Sequence, residues 1–212
     1  MGLKRIGIFG GSFDPLHCGH VSIAKLARKQ FNLYTVYIVP VFDQWLKGHD
    51  LFADPEDRLD MARAAVTDIE GIEVSDIDMR AETPTYTVNT IINMRKNNKH
   101  IGEVYVIFGD DTMETIRNWH RSEDLSKLAN IIFYKRKKRN VFLDTNFYSF
   151  SCPPVFIDGP YIDLSSTKIR NLLSRGLSVS GLVHPEVEEI ITKRNLYGGL
   201  SPDEPKTSNG II

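Results

Sequence analysis

Two cysteines are all that this chain of 212 residues carries. Cys18 and Cys152 make neither a metal set nor a disulfide framework, so a reducing, cytoplasmic setting is expected. No window approaches the ~20 apolar residues of a membrane span. The opening MGLKRIGIF is too briefly apolar for a secretory leader, and none is expected. Excess charge is missing as well: 26 basic and 27 acidic side chains leave a formal net charge of -1. Such a chain has no global field to draw in nucleic acid or an anionic membrane, so any anion must be met by a local cluster. There is also no G-x-G-x-x-G and no G-x-x-x-x-G-K-[ST], which excludes the ordinary dinucleotide fingerprint and the P-loop. What remains is ordinary globular composition, 42% hydrophobic and 25% charged. It suits one compact domain, expected over residues 1–198, followed by a polar, turn-rich tail at 199–212 with too little apolar surface to order itself.

Short apolar runs of buried-strand type fall at 5–9, 34–40, 71–79, 102–109, 130–136 and 153–158. Between them apolar residues recur at helical spacing over 21–31, 54–69, 83–98, 166–174 and 185–194, with a short helix from Asp111. Asp54 followed by Pro55 is a strong helix-start signal, and threonines are expected to cap the helix of 83–98. Strands alternating with helices predict an α/β protein. The expected form is a Rossmann-like doubly wound parallel sheet with helices on both faces and a small C-terminal helical part. Ligands in such folds sit beyond the carboxyl ends of the strands, here the segments after Phe9, Val39, Phe108 and Asp158.

The first of these segments reads IGIFGGSFDPLHCGH. Gly10 and Gly11 lack the Cβ that would obstruct a sharp turn, and a turn here would present backbone N–H groups. The helix that follows begins near 17–20, so its positive end faces the same space, and phosphate is the expected occupant. His17 and His20, at i and i+3, share one face of the first turn and can reach one phosphoryl group. Two other readings exist: the histidines merely pack or cap, or they bind zinc. Zinc needs a third ligand that the spacing does not supply. The phosphate reading alone makes the glycines and the histidines explain each other. Asp14, before Pro15, reads as a turn-maker.

Together these residues spell G-G-S-F-D-P-x-H-x-G-H, which resembles the signature of the HxGH nucleotidyltransferase superfamily. A second string, LSSTKIR at 164–170, resembles that superfamily's I-S-S-T-x-I-R segment. Taken alone it would be a Ser-capped helix with solvent-facing basic residues. The resemblance runs from about 5 to 197 and is closest to the nicotinate-nucleotide adenylyltransferase family, through DRLDMARAA, VSDIDMR, PTYTVNTI, FGDDTMETIRNWH and VHPEVEEIITKRNLY. It implies transfer of an adenylyl group from ATP to nicotinate mononucleotide, giving deamido-NAD and pyrophosphate, with Mg²⁺ carried by ATP and no protein ligand set assigned to it.

The residues that the resemblance assigns to ATP are Gly10, Gly11, Ser12, Phe13, Asp111, Ser165, Ser166 and Thr167. His17, His20, Lys47 and Arg170 are its phosphate-steering side chains. Tyr86, Thr87, Trp119 and Arg136 fall on the mononucleotide side. Physical reasoning runs beside this. Trp119 offers a flat face for a pyridine ring, or else is core. Tyr86 and Thr87 begin a helix whose unsatisfied N–H groups favour a carboxylate over a carboxamide; Thr85 and Thr87 read equally well as caps. The family's segment after the second strand usually reads P-P-H-K. Here it is VFDQWLKGHD, where Lys47 alone matches and Trp45 and His49 have no counterpart. Asn89 replaces a usual Asp. The basic run KRKKR at 135–139 reads as a solvated loop in which Arg136 matches the family. The rivals are phosphopantetheine adenylyltransferase and a non-catalytic nucleotide- or nucleic-acid-binding protein. The expected partners are the two small substrates, with no nucleic acid and no membrane; a homo-oligomer is left open.

Overall fold

The computed structural model describes residues 2–42, 51–80, 85–113, 115–135 and 154–198. Its frame is a six-stranded sheet formed by β1 (Lys4–Gly11), β2 (Thr35–Pro40), β3 (Ile72–Val74), β4 (Ile101–Gly109), β5 (Asn130–Tyr134) and β6 (Val155–Phe156). The order is β3-β2-β1-β4-β5-β6 with every pair parallel. This is the doubly wound arrangement expected from the alternation, and the strand order reverses between β1 and β4, where such sheets open a crevice.

Six helices cover the two faces: α1 (Cys18–Gln30), α2 (Pro55–Val66), α3 (Thr87–Asn97), α4 (Ser122–Leu128), α5 (Ser166–Ser174) and α6 (Pro185–Lys193). Two apolar clusters show which helix lies where. Ile23 and Ala27 of α1, Met61 and Ala65 of α2, Ile169 of α5 and Val187 and Ile191 of α6 pack with Phe9, Val36 and Ile38 on one side. Val88, Ile91 and Met94 of α3 and Leu125 of α4 pack with Ile6, Ile8, Val104 and Val106 on the other. The strand residues alternate between these clusters because successive side chains leave opposite faces of a sheet. The C-terminal helices α5 and α6 share the core of α1 and α2.

Several expected boundaries move, each for a local reason. The strand foreseen at 71–79 ends at Val74, because Asp76 turns out to pair with Arg80 and Arg63 while Asp78 turns inward to Thr90. β6 covers only two of the residues expected in a strand, and beyond it Asp158 exchanges two hydrogen bonds with the Gln30 side chain instead of continuing the ladder. The helix expected from Asp111 is a single 3₁₀ turn, Asp110–Thr112. α3 starts at Thr87, and its N-cap is Tyr86 with no side-chain cap, so neither Thr85 nor Thr87 plays the capping part expected of it.

Candidate active site

β1 carries its two glycines inside the strand: Gly10 pairs with Val39 and Gly11 with Pro40. The chain turns only after them, at Ser12 and Phe13, and Phe13 rather than a glycine takes the left-handed conformation, with φ 48°. This corrects the expectation that the glycines form the turn. Gly11 is required for packing, since a Cβ there would lie 3.0 Å from the Phe13 ring. Among the described residues a Cβ at Gly10 would meet nothing within 4 Å, so the sheet face is open at this point of the strand. The Phe13 side chain is buried, edge-on to Phe9 and His20. The contact to ATP that the family pattern assigns to Phe13 would therefore come from its backbone.

The first turn of α1 is locked by its two histidines. His17 is the N-cap, its Nδ1 accepting the His20 N–H at 3.3 Å, while the His20 Nδ1 accepts the His17 N–H at 3.4 Å. The rings stack at a centroid distance of 3.6 Å. An imidazole that accepts at Nδ1 carries its hydrogen at Nε2, so both rings are set as Nε2 donors of one tautomer. Capping and phosphate contact, weighed above as alternatives, are thus compatible: the cap uses one nitrogen and orients the other. Of the two residues between them, Gly19 is the crowded one: a Cβ there would lie 2.8 Å from Ile162 and 3.0 Å from His17 Nδ1. Among the described residues no group of three His, Cys, Asp or Glu side chains gathers to hold a metal ion.

The second motif docks onto the first. Ser165 caps α5 by accepting the Lys168 N–H, the Ser166 hydroxyl donates to the Pro15 carbonyl at 3.0 Å, and Arg170 Nη1 donates to the Asp14 carbonyl at 2.8 Å. Arg170 also reaches the Thr167 hydroxyl, lies over the Phe52 ring and has a buried Nε with no partner. Burial lowers its pKa, yet a guanidinium stays charged in a protein. Arg170 thus brings a half-buried cation onto the loop that leads into His17, where burial strengthens any charge-assisted hydrogen bond.

Beneath this corner lies a polar framework that the sequence reading missed. Asp14 is no mere turn-maker. Its buried carboxylate accepts from the Phe52 N–H at 2.7 Å, the Ala53 N–H at 3.2 Å and the Tyr197 hydroxyl at 2.6 Å. Burial and the adjacent Asp14 raise the Tyr197 pKa well above its ordinary value, so that phenol stays a donor. Arg58 is fully buried and donates to the carbonyls of Ser12, Val41, Phe42 and Ala53. It thereby ties the loop after β1 to the segments on both sides of 43–50. One sequence signal for it existed: position 58 falls on the same α2 stripe as buried Met61, Ala62 and Ala65, where a charged side chain needs partners.

Across the sheet, a small cleft of about 30 Å³ is lined by Thr85, Tyr86, Thr87, Val88, Trp119, His120, Ser122 and Leu125. Three of the residues expected to meet the mononucleotide, Tyr86, Thr87 and Trp119, therefore converge at the N-terminal end of α3. Trp119 sits edge-on to Phe108 and is both core and wall. The ring stacked on Tyr86 is His120, at 4.2 Å. Two buried donors of this cleft, Thr85 Oγ1 and Trp119 Nε1, have no partner among the described residues. Arg121 turns instead to Asp124. Below the cleft the Asp78 carboxyl meets the Thr90 hydroxyl at 2.8 and 3.1 Å, and burial pushes its pKa up to about 6.

A family model described as cytidylyltransferase-like matches residues 8–172. "Probable nicotinate-nucleotide adenylyltransferase" of Caldicellulosiruptor saccharolyticus is 34% identical to this chain, covering 91% of it and 98% of its own length. The protein of the same name from Herpetosiphon aurantiacus is 35% identical, over 92% and 99%. The chain belongs to the nicotinate-nucleotide adenylyltransferase family. The fold agrees with that of the Plasmodium falciparum nicotinic acid mononucleotide adenylyltransferase solved as a complex with NaAD, at TM-score 0.73, 21% identity and coverage of 92% and 97%. As a member of this family the chain is a nucleotidyltransferase, and among its described residues no helix is long and apolar enough to cross a membrane. Asp111 lies exposed in the 3₁₀ turn after β4, beside the switch point. Lys47 and Arg136, the other two residues that the family pattern assigns, lie outside the described residues, as do Cys152, most of the basic run and the 199–212 tail.

Proposed function

We propose that this chain joins ATP to nicotinate mononucleotide, giving nicotinate adenine dinucleotide and pyrophosphate, with Tyr86, Thr87 and Trp119 at the pyridine end and His17, His20, Ser166 and Arg170 at the phosphates. The observation that carries the phosphate half is the docking of Ser166 and Arg170 onto the carbonyls of Pro15 and Asp14, immediately ahead of His17. It gathers the donors of two distant motifs at one corner.

The chemistry is a direct in-line displacement. A 5′-phosphate oxygen of the mononucleotide attacks the α-phosphorus of ATP, a new P–O bond forms, and the bond from the α-phosphorus to the bridging oxygen breaks as pyrophosphate leaves. The attacking phosphate is already anionic near neutral pH, so neither a strong base nor a protein nucleophile is needed. What the chain supplies is alignment of two polyanions and compensation for developing charge. His20 donates from Nε2 to the α-phosphoryl oxygens, with His17 beside it. Ser166, Arg170 and Lys47 hold the outer phosphates. Ser165, Thr167 and the backbone of Gly10, Gly11, Ser12 and Phe13 line the nucleotide, with Asp111 toward its ribose. Arg136 belongs to the mononucleotide side by its match to the family pattern. Mg²⁺ enters as part of the ATP complex, and its chemistry is to neutralise the phosphates. The substrates are small molecules met in the cytoplasm; neither nucleic acid nor membrane takes part.

Pyrophosphate release with ATP and Mg²⁺ tests this reading when nicotinate mononucleotide, nicotinamide mononucleotide and phosphopantetheine are offered in parallel. Release with the nicotinate substrate is expected, with weaker release for the amide. Release with phosphopantetheine alone would assign a different acceptor.

A further inference from the structure

We infer that Asp78, acting through Thr90, makes the choice between an acidic and an amide pyridine ring depend on pH, the acid being preferred when this carboxyl is neutral. The inference rests on the placement of the pyridine ring proposed above, at the N-terminal end of α3. Asp78 is only 6% exposed, and its two oxygens lie 2.8 and 3.1 Å from the Thr90 hydroxyl. That hydroxyl also lies 3.3 Å from the carbonyl of Tyr86, the N-cap of α3. A hydroxyl has one hydrogen, so it cannot serve both acceptors together. With Asp78 ionised, the hydrogen belongs to the carboxylate. With Asp78 neutral, the carboxyl donates to Thr90 Oγ1, and the Thr90 hydrogen is released to the Tyr86 carbonyl. The proton state of Asp78 is thereby written into the cap of the helix whose N–H groups face the cleft.

Charge acts in the same direction. Thr90 stands three residues beyond Thr87, about 5 Å along the helix axis, so an ionised Asp78 sits roughly one turn behind the first N–H groups. A carboxylate bound there faces a like charge through protein, within a Debye length, whereas a carboxamide does not. Among the described residues no cation pairs with Asp78. On its own segment Asp76 is paired with Arg80 and Arg63. Arg95 of α3 donates to the carbonyls of Gly102 and Leu128. The remaining titratable side chains at the cleft are Tyr86 and His120, stacked on one another. Glu82 lies outside the described residues. Burial raises the Asp78 pKa to about 6 against the opposing pull of Thr90, which brings its titration into an accessible range.

The test is the ratio of kcat/KM for nicotinate mononucleotide over that for nicotinamide mononucleotide, measured with the whole protein between pH 8 and pH 5.5. ATP and the 5′-phosphate are common to both reactions, so their ionisations cancel in the ratio. The ratio is expected to rise about tenfold as pH falls. In Asp78→Asn it should be high and flat, and in His120→Gln the slope should persist. A flat ratio in the wild type overturns the inference, as does a slope that survives Asp78→Asn and vanishes in His120→Gln. Should Asp78→Asn fail to fold, calorimetry of mononucleotide binding in two buffers of different ionisation enthalpy reads the same coupling in the wild type and in His120→Gln. Nicotinate mononucleotide should then take up more protons at pH 7 than its amide in both proteins, and equal uptake overturns the inference. Absence of pyrophosphate with either mononucleotide at every pH is a distinct outcome: it removes the proposed function and this inference with it.

Discussion

The two ends of the candidate site are built differently. At the phosphate end, buried polar groups from far along the chain are bonded to one another: Arg58 holds four carbonyls, Asp14 holds three donors, and Ser166 and Arg170 hold the loop from the other side. At the pyridine end, Thr85 and Trp119 keep donors without partners, and Tyr86 and His120 fill the space with their own stack. The first end is organised before any ligand arrives, as compensating charge on a phosphoryl group requires. The second is a small cleft of about 30 Å³. On the proposed function, the densely bonded end is where the bond changes, and the end with spare donors is where the substrate is chosen.

Breaking the rigid end should give the largest effects. Asp14→Ala strands the Tyr197 hydroxyl and two buried N–H groups, so a loss of about 3–5 kcal/mol of stability is expected in denaturant titrations. His20→Ala removes a donor of the α-phosphoryl group and half of a reciprocal cap. It should lower kcat by about 10²–10³, or 2.7–4 kcal/mol, in the pyrophosphate assay; near-normal turnover by a folded variant would refute the assigned role. The pyridine end should respond in the opposite direction. The Asp78 pKa is raised from 3.8 to about 6 by burial, so the native state binds more protons than the unfolded one. Stability is then fully present below about pH 4 and declines as pH rises through 6. By pH 7 the cost reaches about 3 kcal/mol. Asp78→Asn is expected to be more stable than the wild type by up to that amount at pH 7, with the gap closing toward pH 4 in thermal melts. The smallest effect belongs to Tyr197→Phe, which deletes one of three donors to Asp14 and should cost about 1.5–3 kcal/mol with kcat little changed.

Much of this molecule is legible in its residues. Short continuous apolar runs mark β1, β2, β4 and β5, helical spacing marks the helices that join them, and HCGH names its own place at a helix start. What escapes is whatever depends on partners distant in sequence. Nothing near Asp14 announces a bond to Tyr197, and nothing near Val74 says that the strand must end so that Asp76 and Asp78 can turn to an arginine and a threonine. Turns are where glycine is usual, yet both glycines of the first motif stay paired in β1, and a neighbouring phenylalanine ring takes the space at one of them. Arg58 could have been found by asking which charged residue shares a stripe with alanine and methionine.

The bond from Tyr197 to Asp14 joins positions 183 residues apart. During synthesis the Asp14 carboxylate can take the N–H groups of Phe52 and Ala53 long before the phenol exists. The loop after β1 is thus shaped early by near neighbours, and the residue that follows α6 adds its bond only after α6 itself has been made.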